Sequence, residues 1–228
     1  MTYDAAQRLL PRWLLRWVYH FETRLDEAVE RFAAELPDGA RVLDAGAGEA
    51  RHAPVFKRQR YIAVDLAVGD AAWNYKHLDA VADLAALPLA ERCCDGAINV
   101  VTLEHLPEPG AALSEVARVL KPGARLLIVA PHEWEVHQEP YDYYRYTRHG
   151  LRYLLEGAGF EVVSVRGVGG LFRLLQRRLL AAAQITPWPW KPLGFAAFVP
   201  PALLLPILDT LDRECKYTPG YIAIARKP

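Results

Sequence analysis

The sequence predicts an α/β fold: a doubly wound, parallel sheet of seven strands, with a helical cap at the N-terminus and an apolar insertion before the last strand. Three observations lead there. Val42-Leu43 is an apolar run that breaks at Asp44 into Ala45-Gly46-Ala47-Gly48-Glu49-Ala50, as a buried parallel strand does where the chain must turn into its crossover. Tyr61-Ile62-Ala63-Val64 is a second such run. It ends in Asp65, roughly 20 residues after the turn, the distance at which doubly wound folds carry an acid. Beyond it, strand and helix patterns alternate, which implies right-handed crossovers between parallel neighbours.

Residues from about Ala5 to Leu36 carry apolar and charged positions at helical spacing, with Pro11 early and Pro37-Asp38-Gly39 as the stop. Strands are expected at 41–45, 61–65, 77–79, 96–101, 125–130, 161–166 and 221–225. Helical patterns lie between most of them, notably 110–120 before Lys121-Pro122-Gly123 and 148–156 before Gly157-Ala158-Gly159. The resulting division is a cap at 1–38, a core at 39–170, an insertion at 171–212 and a final strand at 213–228.

At 228 residues the chain can bury a sizeable core and fits one domain with an elaboration. Lys+Arg and Asp+Glu are both 27, so no nucleic-acid partner is expected, because such binding rests on a basic surface. Of three cysteines, Cys93 and Cys94 are adjacent and Cys215 is distant, which is not a disulfide framework and suits a reducing compartment. The start lacks a cleavable-signal pattern, so a cytoplasmic location is expected. Seven histidines and three cysteines give no C-x-x-C or H-x-x-x-H pair, and no metal site is expected.

Gly46 and Gly48 let the chain turn and remove side chains that would hold a ligand off the backbone N–H groups at the start of the following helix. A purely structural turn would recruit the same glycines, but an acid at each of two neighbouring strand ends is a constellation, and ligands sit outside those ends. A dinucleotide site needs G-x-G-x-x-G, and three residues after Gly48 stands Arg51. No G-x-x-x-x-G-K-[ST] occurs either. Asp44 and Glu49 would repel a pyrophosphate, yet they suit a ligand carrying an ammonium and a sulfonium, which is S-adenosylmethionine.

The runs VLDAGAGEARH, AVDL and VADLAALPLAERCCDGAINVVTLEHLPEPGAALSEVARVLKPGARLLIVAP together resemble the class I S-adenosylmethionine-dependent methyltransferases, specifically the type 11 small-molecule group, over about 41–131. The later HEWEVHQEPYDYYRYTRHGLRYLLEGAGFEVV is similar to a subset carrying H-x-x-P-x-D-Y-Y-R-Y-T, often met in glycan and cell-envelope biosynthesis. The resemblance implies a Rossmann-like sheet whose last strand, YIAIARK, inserts antiparallel. It implies that Asp44, with Gly46, Ala47 and Gly48, anchors the amino-acid end of the cofactor, that Asp65 holds the ribose, and that Leu66 forms an apolar wall. Asp83-Leu84 then reaches the adenine amine, although Asp83 also reads as a helix N-cap. Asn99, Val100 and Thr102 face the methionine portion. The family usually has a third glycine where this chain has Ala50.

Methyl transfer from a sulfonium is an in-line displacement that rests on positioning, with a base needed only for a hydroxyl or protonated nitrogen acceptor. His105, His132 and His137 fall near the fourth and fifth strand ends with Glu104 among them; each also reads as a structural histidine. In the loop 139–147, Tyr144 and Arg145 could present a stacking face and an anion clamp to a small-molecule, sugar or lipid-linked acceptor. The same loop reads equally as a packed one, with Arg145 paired to Asp142 and Thr147 capping a helix. Two other functions fit less well: a nicotinamide-dependent oxidoreductase, opposed by Arg51 and the acidic turn, and a non-catalytic S-adenosylmethionine-binding module.

Between 179 and 208 the only charge is Lys191. Pro187, Pro189, Pro192, Pro200, Pro201 and Pro206 are expected to break a helix repeatedly, so no transmembrane helix is expected. Three readings remain for 171–212: a cap buried on the core, a homodimer interface, or a segment dipping into a membrane interface. In the last, Trp188 and Trp190 sit at headgroup level with Arg173, Arg177 and Arg178 facing anionic lipid, and the enzyme is peripheral to the inner face of the membrane.

Overall fold

The computed structural model describes residues 3–70 and 72–228, so the first two residues of the expected cap lie outside the described residues. The chain forms two compact units, one of residues 27–166 and 221–228, the other of residues 3–26 and 167–220.

The first unit holds the sheet. Its strands are β1 (Arg41–Ala45), β2 (Arg60–Asp65), β3 (Ala80–Val81), β4 (Cys94–Val100), β5 (Leu120–Pro131), β6 (Glu161–Gly167) and β7 (Gly220–Arg226), in the order β3-β2-β1-β4-β5-β7-β6. The pairs β1–β2, β1–β4, β2–β3 and β4–β5 are parallel. The end of β7 lies beside the start of β5, with Gly123 N–H donating to the Lys227 carbonyl and Lys227 N–H to Ala124. β7 therefore runs antiparallel, and the sheet is mixed, as the resemblance implied. Strand order reverses between β1 and β4, which leaves a crevice outside their carboxyl ends.

Central strands are covered on both faces, so their apolar residues run without alternation. Ala97 and Ile98 of β4 and Leu126 through Ala130 of β5 are fully buried. Against Ala97, Leu126, Ile128 and Ala130, on one face, pack Leu113, Val116 and Val119 of α4 (Pro109–Val119) and Leu151 and Leu155 of α5 (Arg148–Gly157). Thr147 caps α5, its Oγ1 accepting the Gly150 N–H at 3.0 Å.

Three local expectations are corrected. The turn after β1 does not open into an α-helix: a single 3-10 turn, Ala53–Phe56, follows it. Only residues 46–59 separate β1 from β2, the turn takes the first of them, and Pro54 supplies no N–H to a helical ladder. The third strand begins at Ala80 instead of 77, because Tyr75–His77 form a 3-10 turn capped by Asn74. Asp79 then takes the Ala63 N–H on its carboxylate at 2.8 Å, so ladder pairing starts only beyond it. The fifth strand begins at Leu120 instead of 125: Lys121-Pro122-Gly123 follows the end of α4 and lies in the first part of β5.

The second unit is helical: α1 (Tyr3–Leu9), α2 (Arg12–Val18), the first turns of α3 (His20–Ala34), α6 (Leu171–Ile185), α7 (Lys191–Leu204) and a 3-10 segment, Leu205–Leu211. Two acids from that last segment and its end cap α6 from a distance. Asp209 accepts the N–H groups of Gly170 and Arg173, and Asp212 accepts that of Leu171. The prolines do not break the insertion as expected. Pro192 sits in the first turn of α7, where a missing N–H has no helical partner to lose. Pro200 and Pro201 lie within the helix, which runs on into the 3-10 segment, so that Lys191–Leu211 is long and apolar enough to cross a membrane by length and composition.

Candidate functional site

At the tip of β1, Asp44 is 1 % exposed, with Oδ2 accepting a short hydrogen bond from the Tyr61 hydroxyl and Oδ1 buried without a partner. Burial pushes its carboxyl up to about 7, against the opposing effect of the Tyr61 hydroxyl. Tyr61 is a residue the sequence reading gave no role. Asp44 registers with Ala63, and Tyr61 is two residues earlier on the same face, so strand alternation carries the signal once the register is known.

The glycine turn folds over the end of β2. Gly46 (φ +93°) and Ala47 donate their N–H groups to the Val64 carbonyl, and Gly48 (φ +53°) donates to Asp65 Oδ2 at 2.9 Å. Asp65 Oδ1 accepts from Ala67 at 2.8 Å, which joins the two strand tips in one hydrogen-bonded unit. The glycines differ in purpose. A Cβ on Gly46 would lie 2.1 Å from Thr102 Cγ2, so its missing side chain makes room for Thr102 rather than for a ligand; at Gly48 the nearest atom would be Trp73 Cζ3, at 3.5 Å. Ala50, in place of the third glycine, takes a left-handed φ of +57° and packs with Ala47 and Ala63.

The end of β4 is tied to the same turn. Thr102 Oγ1 donates to the Gly46 carbonyl at 3.0 Å, and Asn99 Nδ2 to Ala45 at 2.7 Å. Because Asp44 registers with Ile98, Asn99 leaves the sheet on the face opposite Asp44, which corrects its grouping with Asp44 around one ligand. Val100, the last residue of β4, is half-buried. Leu66 is 48 % exposed, whereas Leu84 is buried in the core and can offer a ligand only its backbone. Asp83 caps a turn, its Oδ1 accepting from Ala85, and no helix starts there.

On the acceptor side, Glu104, His105 and His137 come together. Glu104 is fully buried, neither carboxyl oxygen has a hydrogen-bond partner, and Nε2 of each histidine lies 3.7 Å from its Oε1. Glu104 raises the His137 pKa. His132 stands apart from this cluster, its ring 5.5 Å from that of Tyr221 and its Nδ1 buried without a partner.

The tyrosine loop straps this cluster down. Tyr143 and Tyr144 donate N–H groups to the Glu104 carbonyl, the buried Tyr146 hydroxyl donates to Leu103 at 2.8 Å, and Tyr144 Oη donates to Pro107 at 3.0 Å. Arg145, expected to hold an acceptor anion, instead closes on its own loop. Its five N–H donors meet Asp142 Oδ1 (2.6 Å) and Oδ2 (2.8 Å) and the carbonyls of Trp134, Glu135 and Tyr144, so none remains for a ligand. The pair holds the Asp142 carboxyl down to about 2. Tyr144 keeps an exposed ring, 6.0 Å from that of Tyr146.

The site suits the cofactor read from the sequence. An unpartnered, buried carboxyl oxygen on Asp44 calls for a donor, and an ammonium group brings three. Comparison with known proteins agrees. Residues 17–165 match the methyltransferase-domain family. A probable S-adenosylmethionine-dependent methyltransferase of Mycolicibacterium smegmatis is 29 % identical over 235 residues, covering 90 % of this chain and 88 % of that protein. An Arabidopsis thaliana tRNA (carboxymethyluridine(34)-5-O)-methyltransferase is 31 % identical over 116 residues, 49 % of this chain and 28 % of that one. The Burkholderia thailandensis 1,6-didemethyltoxoflavin-N1-methyltransferase, solved with 1,6-didemethyltoxoflavin and S-adenosylhomocysteine, shares the fold at a TM-score of 0.54 and 22 % identity, over 99 % of this chain and 88 % of that one. The nicotinamide and non-catalytic alternatives give way to these matches. The chain belongs to the methyltransferase-domain family and is an S-adenosylmethionine-dependent methyltransferase.

Proposed function

We propose that the enzyme methylates a hydroxyl or amine on a small-molecule, sugar or lipid-linked acceptor, in the cytoplasm, at the inner surface of a membrane. The observation that carries the reading is the buried Glu104 with His105 and His137 turned toward it, its carbonyl held by the backbone of the exposed Tyr143 and Tyr144. Such a cluster gives an acceptor what its own chemistry lacks, a place to lose a proton as it attacks.

When bound, the cofactor supplies an electrophilic methyl group on a sulfonium that leaves as a neutral thioether. Asp44 receives its ammonium on the unpartnered Oδ1, with Gly46, Ala47 and Gly48 forming the turn beside it. Asp65 would take the ribose hydroxyls on lone pairs left over from Gly48 and Ala67, and Leu66 with the Asp83-Leu84 turn would hold the adenine. Val100 and Thr102 line the approach to the methyl group, while Asn99 acts from the other face by fixing the Ala45 carbonyl. Tyr144 offers the acceptor a stacking face, and Arg145 positions the loop through Asp142. The core segments 39–170 and 213–228 carry the cofactor, and the segments 1–38 and 171–212 carry surface contacts.

The lipid surface is supported by unit 3–26 and 167–220 itself. Ile185, Trp188, Trp190, Leu193, Leu204 and Leu211 are all more than 60 % exposed, on a stretch whose only charge between 179 and 208 is Lys191. An apolar face of that extent on a monomer marks an interaction surface.

The test is an acceptor screen with methyl-labelled cofactor, across nucleoside-sugars, polyprenyl-linked sugars, small phenols and amines, and tRNA, since one relative is named for tRNA methylation. Label transfer to a sugar or lipid-linked acceptor supports the reading. Transfer to tRNA alone would replace it.

A further inference from the structure

The Glu104–His105–His137 cluster has the make-up of a metal centre. We propose that these three side chains bind one divalent first-row transition ion, zinc or a close relative, through Glu104 Oε1, His105 Nε2 and His137 Nε2.

The tautomers decide the direction of the nitrogen lone pairs. His105 Nδ1 faces the Tyr141 carbonyl at 2.6 Å, and His137 Nδ1 faces the Glu135 carbonyl at 3.0 Å. A carbonyl only accepts, so each Nδ1 carries a hydrogen, and in the neutral ring each Nε2 is a bare lone pair; a metal ion there takes the place of the proton an imidazolium would offer to Glu104. Arg145 Nη2 also lies 3.4 Å from His137 Nδ1, but both of its hydrogens go to nearer oxygens, on Glu135 and Asp142. Asp142 Oδ2, 3.6 Å away, adds negative charge beside that Nδ1–H. An Nδ1–H held by a backbone carbonyl is the outer-shell contact that fixes metal-binding histidines.

Both lone pairs then point at a carboxyl group, where two acceptors and no proton make no hydrogen bond. Neither Nε2 and neither Glu104 oxygen has a partner, and Glu104 is fully buried. A carboxylate buried without a hydrogen bond is costly, and a positive charge sharing the site offsets that cost. A cation satisfies all of these atoms at once.

The dimensions are close to those required. The three ligand atoms lie within 4.8 Å of one another. Bonds of about 2.0–2.2 Å to a tetrahedral or octahedral ion would put them roughly 3–3.5 Å apart, so each Nε2–Oε1 pair, 3.7 Å apart, closes by tenths of an ångström and the widest pair by more than one. Two imidazoles and one carboxylate select a transition ion over magnesium or calcium and leave coordination positions open. The histidine side chains keep 11 % and 23 % of their surface exposed, so the cluster lies near the surface, while the ligand atoms themselves are buried. No local spacing announces the site, because His137 arrives from the loop after β5 and the other two from the turn after β4. The expectation of no metal rested on such spacing.

The role follows if the acceptor is a hydroxyl, and in this it rests on the function proposed above. With an ion bound the three side chains would serve as its ligands and not as the base: the acceptor hydroxyl would take an open position, give its proton to solvent, and as the alkoxide form the new bond to the methyl carbon while the bond from that carbon to sulfur breaks.

Cobalt(II) is the probe, because its visible absorption reports ligand number without any turnover. The chelator-treated full chain should take up one equivalent and develop absorption bands of a nitrogen- and oxygen-ligated centre, reversed by competing zinc. His137→Ala and Glu104→Gln should weaken uptake beyond the roughly 10- to 100-fold that outer-shell changes cause. His149→Ala, on the exposed face of α5, should bind like the parent. If Glu104→Gln fails to fold, His137→Ala, at the rim, carries the result alone. Uptake by His137→Ala equal to that of the parent would overturn the proposal, as would no uptake by a folded parent. Cobalt binding with no hydroxyl acceptor in the screen would leave the metal centre standing and remove the acceptor reading instead.

Discussion

At the scale of single residues, Asp44 ties the cofactor to pH. Burial raises its carboxyl to about 7 from the 3.8 it would show in an unfolded chain. In the ligand-free protein its contribution to stability is therefore fully present below about pH 4 and is lost as pH rises through 7. Pairing with an ammonium requires the ionised form, so below pH 7 binding must expel a proton. Cofactor affinity should rise up to about tenfold per pH unit between 5 and 7, and calorimetry at pH 6 in buffers of different ionisation heats should show release of up to one proton per cofactor. Asp44→Asn should abolish that release, and Tyr61→Phe, which removes the donor on Oδ2, should move the transition to higher pH. Equal heats in all buffers would disprove the assignment. Asp65→Ala, at the neighbouring strand tip, should weaken the cofactor by about 1–3 kcal/mol through a lost charged hydrogen-bond pair, measured by the same titration.

At the scale of elements, the turn after β1 is held from three directions: by the Val64 carbonyl, by the Asp65 carboxylate and by Thr102. Gly46→Ala brings both a methyl group into Thr102 and a side chain to a φ of +93°, so it should destabilise by more than the roughly 1–3 kcal/mol of backbone strain alone. Gly48→Ala meets only ordinary contact at a φ that Ala50 tolerates nearby, and it should cost much less; thermal melts of the two variants compare them directly. If the two melts coincide, the distinction drawn between these glycines is wrong. Both glycines, both strand-tip acids and the succession of strands along the chain were legible in the sequence, because they follow from local pattern and period. What each does was legible only in part. Thr102 opposite Gly46, Tyr61 on Asp44 and the strap of Tyr143, Tyr144 and Tyr146 over Leu103 and Glu104 depend on sheet register and on loops meeting across the crevice. The same limit hid the commitment of Arg145. Its pairing with Asp142 at i−3 could be read, but not the three carbonyls that take its remaining donors.

At the scale of the whole molecule, the helical unit separates charge from apolar surface more completely than its composition suggests. Arg173 donates to the Trp17 carbonyl and lies over that ring, 5.1 Å from its centre, and Arg177 pairs with Glu22 at 2.9 Å. Two of the three arginines expected to face anionic lipid are thus engaged within the unit, which corrects that part of the membrane reading. The apolar half of it stands on stronger ground: Trp188 is 76 % exposed, Trp190 63 % and Leu211 71 %. A surface of this kind binds through area and not through charge, so its attachment should respond weakly to salt and to the anionic fraction of the lipid. In co-sedimentation with vesicles, the protein should pellet with neutral and anionic membranes alike at physiological ionic strength. Trp188→Ser combined with Trp190→Ser should release it while leaving the melting temperature close to that of the parent, because both side chains already lie in water. Binding that vanishes on neutral vesicles would restore the electrostatic mechanism. A parent that stays in solution as a dimer, and becomes monomeric with the two serines, would assign the face to a second copy of the chain.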